Sequence, residues 1–314
     1  MLDLFPFALQ ILILVIMPLG FLAWMILFKP PSLLAFSAKS LLVGSFIAFF
    51  FIAGRWDIVG LWLRYVWIVA FFLIFVAALY RYRSTHPLPD WTLRSVTSLA
   101  ITIITALIFI TSLWQLRGNG DYDGPPINLT FPLKDTRWYV AHGGSAPAMN
   151  HHASVHAQAY ALDIGALNSV GLRAWGLLPE TLNAYAIFGQ EVAAPCAGNI
   201  LSIENNLPDL TPPERDRSNL AGNHVLMRCD ETLILLAHLR QNSITVQKDD
   251  IVQTGQRLGE VGNSGNTTEP HLHIHAVGDI PPGQTNLSED ILFTGKPVPM
   301  LFDGQFLTRN SWGF

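Results

Sequence analysis

Four apolar runs dominate the first third of this chain and leave it few ways to fold in water. They extend over approximately Phe7–Phe28, Phe36–Gly54, Leu61–Tyr80 and Ser95–Leu116. A helix of about 20 mostly apolar residues crosses the hydrocarbon core of a bilayer, and each run has that character. The first run is not a cleavable signal: Asp3 precedes it, no basic residue does, and its apolar stretch is too long. Trp62, Tyr65, Trp67 and Tyr80 fall near the ends of the third run, where interfacial aromatics are expected.

Lys and Arg in the short connections set the expected orientation. Lys29 and Lys39 flank the first connection and Arg81, Arg83 and Arg94 the third, against Arg55 and Arg64 at the second. The first and third connections are therefore expected in the cytoplasm, with both termini outside. Arg117 narrows this bias. Lys39 and Arg64 sit close to run ends, where long side chains reach the interface. No Asp or Glu lies inside any run, so an anchor is expected rather than a transport pathway.

Beyond residue 116 the composition becomes that of an ordinary soluble domain. Nine of the ten histidines fall there, leaving only His86 in the apolar part. Residues 117–130 are rich in Gly, Pro and Asp and read as a linker. From residue 131 to 314, short apolar runs alternate with turn residues. Arg137–Ala141, Ala159–Ile164, Asn199–Ile203, His224–Met227, Thr232–Leu236 and His271–Val277 are expected strands. Pro195–Gly198, Gly262–Gly265 and Pro281–Gly283 are expected turns, with long loops over 165–190 and 205–221. The fold class is thus a four-span α-helical region (1–116) followed by an all-β domain, a sandwich or open barrel. Cys196 and Cys229 are the only cysteines. Each borders an expected strand on the side predicted to be oxidising, which favours a structural disulfide over a Cys–Cys metal site.

Chemistry concentrates in Glu269-Pro270-His271-Leu272-His273-Ile274-His275. Side chains alternate along a strand, so the three histidines would share one face, with Leu272, Ile274 and Ala276 turned into a core. Imidazole is a common zinc ligand and the usual general base near neutral pH.

Ala237-His238-Leu239, followed by Gly262-Asn263-Ser264-Gly265-Asn266-Thr267-Thr268-Glu269-Pro270-His271-Leu272-His273, resembles the lysostaphin-type zinc metallopeptidases. That family cleaves peptide bonds in bacterial peptidoglycan. The similarity covers roughly residues 135 to 300 and adds Phe188–Val192, Ala194-Pro195 and Gly222-Asn223-His224-Val225. It implies an antiparallel sheet or sandwich of the lysostaphin type holding one zinc ion per domain. Carried onto this chain, it makes His273 and Asp163 metal ligands and His238 and His271 the catalytic histidines. The remaining ligand departs from the family's usual pattern, because position 159, four before the aspartate, is Ala. His151, His152 and His156 are candidates. An Asn-x-His element, Asn150-His151-His152, fits His152 best. His275 stands where the family usually has Glu, and is either a partner of a metal-bound imidazole or a residue at a solvated strand end.

Two imidazoles and a carboxylate would leave zinc a tetrahedral position for water and lower the pKa of that water from about 15.7 towards 7. The resemblance therefore implies a zinc endopeptidase anchored in the bacterial cytoplasmic (inner) membrane. Its C-terminal domain would lie in the periplasm or extracytoplasmic space. Peptidoglycan peptides and the lipid bilayer are its expected partners, and nucleic acid is not. The alternative is a non-catalytic relative of the same fold that binds or activates another cell-wall hydrolase. Loss of metal ligands would mark that case, and Asp163, His238, His271 and His273 are all present.

Overall fold

A computed structural model describes residues 5–83, 92–278 and 294–314. His86 and the expected turn Pro281–Gly283 lie outside the described residues. The chain divides into two compact units, Met1–Arg117 and Gly118–Phe314.

The first unit contains four helices long and apolar enough to cross a membrane. They are α1 (Phe7–Leu27), α2 (Leu33–Ala53), α3 (Leu63–Arg83) and α4 (Leu93–Gln115). Side-chain caps start two of them: Ser32 accepts the Ala35 N–H before α2, and Thr92 accepts the Ser95 N–H before α4. Aromatic rings lock the bundle. Phe46 of α2 is almost fully buried, with ring centroids 4.9 Å from Phe21 of α1 and 5.3 Å from Phe109 of α4. Within α1, Leu12–Ile16 form a π-helical turn, and the Trp67 indole N–H donates to the Leu14 carbonyl at 2.8 Å. Trp67 is therefore buried inside the bundle and does not face an interface. It satisfies a backbone acceptor for which a lipid environment supplies no donor. Apolar side chains such as Leu73, Val76, Ile104 and Ile108 remain exposed on the outward faces.

The second unit is mostly antiparallel sheet. Its strands are β1 (Ile127–Leu129), β2 (Trp138–His142), β3 (Leu162–Ala166), β4 (Glu191–Ala193), β5 (Gly198–Glu204), β6 (Asn223–Cys229) and β7 (Thr232–Leu239). They continue as β8 (Ile251–Val252), β9 (Arg257–Glu260), β10 (Leu272–Gly278), β11 (Lys296–Pro297), β12 (Met300–Phe302), β13 (Gln305–Phe306) and β14 (Trp312–Gly313). Nine of them make one sheet in the order β14-β2-β3-β10-β7-β6-β5-β8, with β11 also on β10. One face of that sheet turns Val140, Leu162, Ile164, Val225, Leu236, Leu272 and Ile274 into the main core. Val192 of β4, Leu258 of β9 and Phe302 of β12 belong to the same core, so smaller sheets cover that face. Alternation along β3 and β10 then sends Asp163, His273 and His275 to the opposite face, as the pattern of β-branched and aliphatic residues requires.

Two expectations change. Ala159 and Tyr160 form a turn, and β3 begins only at Leu162. Of residues 117–130, expected as a linker, those from Gly118 onward belong to the second unit. The Asn119 carbonyl accepts the Ser145 N–H at 3.1 Å and its side-chain oxygen the Ala146 N–H at 3.0 Å. Strand β1 pairs in parallel with β12.

Cys196 and Cys229 form a disulfide spanning 33 residues, beside the β5–β6 pairing of Asn199 with Arg228. Replacing both with serine is expected to cost about 3–4 kcal/mol, the loop-entropy value for a closure of that size. Denaturant titration of residues 118–314 measures it, and an unchanged midpoint would show that the bridge contributes nothing.

Candidate metal centre

Strand register assembles the site. β10 runs between β3 and β7, with His273 directly opposite Asp163 on one side and Ala237 on the other. Leu162 and Ile164 are anchored in the core, which fixes Asp163 on the far face. His273 Nδ1 lies 3.0 Å from Asp163 Oδ1. His152 arrives from outside the sheet, on the short 3-10 turn His151–Ser154. Asn150 holds that turn in place. Fully buried, it accepts the His152 N–H at 3.1 Å and donates its side-chain amide to the carbonyls of Gly144 (2.9 Å) and Ala161 (3.0 Å). His152 Nε2 consequently sits 3.0 Å from both carboxylate oxygens of Asp163.

The structure thus brings His152, Asp163 and His273 together, with ligand atoms all within 4.8 Å of one another. A tetrahedral zinc with bonds of about 2.1 Å spaces its ligand atoms roughly 3.4 Å apart, so the set has suitable dimensions. His271 Nε2 is 3.5 Å from Asp163 Oδ1, and the His238 and His271 ring centroids are 4.8 Å apart. All five residues singled out from the sequence converge here.

Outer partners determine which ring nitrogen faces inward. His152 Nδ1 donates to the Gln158 side-chain oxygen (3.1 Å), His238 Nδ1 to the Ser264 carbonyl (2.9 Å) and His271 Nδ1 to the Glu269 carbonyl (2.9 Å). Because an oxygen of that kind only accepts, each Nδ1 carries the proton and each Nε2 presents a lone pair to the site. His273 is reversed: Nε2 meets His275 Nδ1 at 2.9 Å and Nδ1 faces Asp163. His275 is buried at 1 % exposure, so it is an outer partner of His273 and not a solvated strand end. Its replacement by alanine is expected to weaken zinc binding 10- to 100-fold, the usual effect of removing such a partner. Competition with a chelating dye reads this, and unaltered affinity would assign His275 to packing alone.

His238 reaches the site through a bulge. β6 and β7 slip register between Asn223 and Val225, and His238 takes a left-handed φ of 62°. Leu236 and Leu239 both enter the core, so the extra residue turns His238 out to the face that already carries Ala237. Below it, the Gly222 and Gly265 backbones pack so tightly that a Cβ on Gly265 would lie 2.4 Å from Gly222 N. That approach places the Ser264 carbonyl under the imidazole.

Electrostatics follow from burial and mutual proximity. Burial alone would favour a neutral Asp163, but His152 and His271, as cations and N–H donors when protonated, outweigh it and hold its pKa well below the ordinary carboxylate value. Burial pushes His273 down to about 3. Burial first, then the neighbouring His271 and His273, push His238 well below its usual value. Burial also opposes charge on His271, but Asp163 prevails and raises it. With these imidazoles deprotonated at the inward nitrogen, the ionised carboxylate and the imidazole lone pairs are a donor set that a divalent cation satisfies.

The other histidines separate cleanly. His156 is exposed and lies outside the grouping. His151 packs edge-on against His142 and tilted against His152, with centroids 4.3 and 3.8 Å away, and with His142 and Asp163 forms a second set of possible donors. Arg309 Nη2, however, donates to His142 Nδ1 at 3.0 Å and occupies that lone pair. His224 is buried and donates Nδ1–H to the Gly222 carbonyl at 2.8 Å, a structural role. Sequence reasoning missed Gln158, Asn150 as an anchor, and the Arg173–Glu269 ion pair at 2.8 Å that ties loop 165–190 to the segment preceding His271. Only Asn150 had a signal, through Asn-x-His.

Residues 182–280 match the model of peptidase family M23. The chain carries an M23 peptidase domain. The match begins after His152 and Asp163, so the M23 model covers His238, His271 and His273 but not the first two members of the cluster. A 57-residue stretch is 39% identical to the peptidoglycan DD-endopeptidase ShyA of Vibrio cholerae, covering 18% of this chain and 13% of that protein. The chain thus spans a small part of that relative. Among solved structures, a zinc-containing peptidase from Vibrio cholerae aligns over 48% of this chain and 37% of its own, at 17% identity and a TM-score of 0.30. The catalytic domain of lysostaphin from Staphylococcus simulans aligns over 39% of this chain and 90% of its own, at 19% identity and a TM-score of 0.22.

Proposed function

We propose that the M23 domain is a zinc endopeptidase that hydrolyses peptide bonds of bacterial peptidoglycan, held at the inner membrane by the four apolar helices. The observation that carries this reading is the orientation of three imidazoles, His152, His238 and His271. Each gives its Nδ1 to an oxygen acceptor, so that Nε2 faces Asp163 or the space beside it. His152 Nε2, Asp163 and His273 Nδ1 would hold the zinc. When bound, the ion supplies Lewis acidity, lowering the pKa of a water and polarising the scissile carbonyl.

His238 and His271 serve proton transfer. Nδ1 of each donates to a carbonyl oxygen, which fixes the ring and stabilises a proton gained at Nε2. One takes the proton of the attacking water while the other delivers a proton to the leaving amine. Arg173, through Glu269, braces the chain that carries His271. The homology to a DD-endopeptidase and to M23 peptidases supports peptidoglycan stem or cross-link peptides as substrate.

Charge supports the membrane orientation. Arg55 at the second connection pairs with Asp57 at 2.7 Å, and Arg64 is buried with its guanidinium on the Tyr65 hydroxyl at 2.8 Å. Even so, these two are outnumbered by Lys29, Lys39, Arg81, Arg83 and Arg94 at the first and third connections, the cytoplasmic ends under the positive-inside rule. The M23 domain then lies outside the cytoplasm.

Incubation of the purified full chain with cross-linked peptidoglycan, with and without 1,10-phenanthroline, tests the reading. Mass spectrometry should find new free amines that disappear with the chelator. Cleavage that survives metal removal would sink the zinc assignment. An intact substrate together with a protein that binds no zinc would favour the non-catalytic module.

A further inference from the structure

The helical unit has a second polar feature that its anchoring role does not use. A cavity of about 410 Å³ opens between the end of α1, the start of α2 and the start of α4. Lys29, Lys39 and Arg94 line it, together with Trp24 and the hydroxyl-bearing Ser95 and Ser98. No carboxylate among the described residues lines it. Lys39 is the telling member. It lies inside α2 and is only 5 % exposed, so it does not reach out to an aqueous boundary. Its ammonium donates to the Phe28 carbonyl at 2.6 Å and sits 4.3 Å from the centroid of the Trp24 ring. Three N–H donors make an ammonium, and one carbonyl engages one of them. A buried cation without a counter-ion is costly, and two further cations at the same opening raise the cost by repulsion. An anion entering the cavity removes both penalties.

We infer that this cavity binds the phosphate group of an anionic membrane lipid, with Lys39 as its buried contact and Lys29 and Arg94 at its mouth. Three observations choose a lipid over a soluble anion. The cavity is bounded by helices long and apolar enough to span a bilayer, it combines apolar and cationic walls, and it opens at the ends where headgroups of the inner leaflet would stand. Basic pockets between membrane helices on the cytoplasmic side take phosphate headgroups for these reasons. The inference rests on reading the helical unit as membrane-embedded in the proposed orientation.

The test uses the full chain purified in detergent and titrated with phosphatidylglycerol or with phosphatidylcholine of the same acyl chains. Native mass spectrometry reads the lipid retained per chain. Phosphatidylglycerol is expected to be held about tenfold or more tightly than phosphatidylcholine. The double variant Lys29→Gln/Arg94→Gln should weaken it about 25-fold, at about fivefold per cation. Lys39→Met should lower the preference further, whereas Lys248→Gln in the other unit leaves it unchanged. Equal retention of the two lipids, or an unaltered preference in the double variant, overturns the site. Displacement of the lipid by millimolar inorganic phosphate assigns the cavity to a soluble phosphate compound and overturns the lipid assignment. Alkaline carbonate extraction of cell membranes separates the two levels of the argument. A protein released by carbonate defeats the membrane reading itself, while a retained protein without lipid preference defeats only the site.

Discussion

His152→Ala is expected to strip the M23 domain of zinc and lower peptide hydrolysis at least 10⁴-fold. This substitution removes one of the three proposed ligands, and unlike Asp163 and His273 its target is not fixed by sheet register. His152 Nε2 contacts both Asp163 oxygens at 3.0 Å, and its other nitrogen is bound by Gln158. Without the ion, water returns to a pKa of about 15.7 and no neighbouring group supplies comparable activation, which sets the scale of the loss. Asp163→Ala and His273→Ala should behave alike, because a two-ligand site binds zinc weakly. His156→Ala should leave zinc stoichiometry and activity at the level of the unaltered protein, since His156 is exposed and outside the cluster. Metal content by inductively coupled plasma mass spectrometry, paired with the peptidoglycan assay, decides the matter. Stoichiometric zinc in His152→Ala, with loss in His151→Ala, would transfer the ligand role to His151 and the second donor set.

Much of this site was legible because strands encode faces. The alternation of His271, His273 and His275 with Leu272, Ile274 and Ala276 announced one polar and one core face, and β10 has that division. Leu162 and Ile164 similarly announced an inward-anchored strand carrying Asp163 outward. The four helices were legible for a different reason: length and apolarity alone decide them, and residue-level packing is not needed.

Where alternation is broken, the sequence misleads. A regular β7 would place His238 on the face opposite Ala237, in the core with Leu236. Only the bulge, with a left-handed backbone at His238, restores it to the site, and no residue type in Leu236-Ala237-His238-Leu239 signals that conformation. Likewise, distance from Asp163 along the chain did not separate the three candidate histidines between 151 and 156; only the Asn-x-His element favoured His152, and its placement depends on a 3-10 turn hung from Asn150. Trp67 misled in the other direction. Its position near a span end matches an interfacial aromatic, yet the π-helical turn in α1 presents a carbonyl that its indole satisfies. Long-range contacts of this kind carry no local signature.

His238→Ala and His271→Ala should each lower kcat by about 10²- to 10⁴-fold with zinc still bound, the range for removing a general acid or base. This separates proton transfer from metal binding, since neither residue belongs to the ligand set proposed here. Nδ1 of each is committed to a carbonyl, of Ser264 or Glu269, which leaves Nε2 as the atom that faces the site. The backbone strain at His238 supports a functional role, because a left-handed non-glycine residue is retained where its surroundings hold it in place. The double variant should be little worse than the poorer single variant if the two act in one proton relay, and multiplicatively worse if they act independently. Steady-state hydrolysis of a defined cross-linked muropeptide, with metal content checked for each protein, gives both comparisons. Loss of zinc in His238→Ala would move that residue into the metal's coordination sphere and return the site to a different ligand set. A kcat within a few-fold of the unaltered enzyme would leave the ligand set standing and remove His238 from the chemistry.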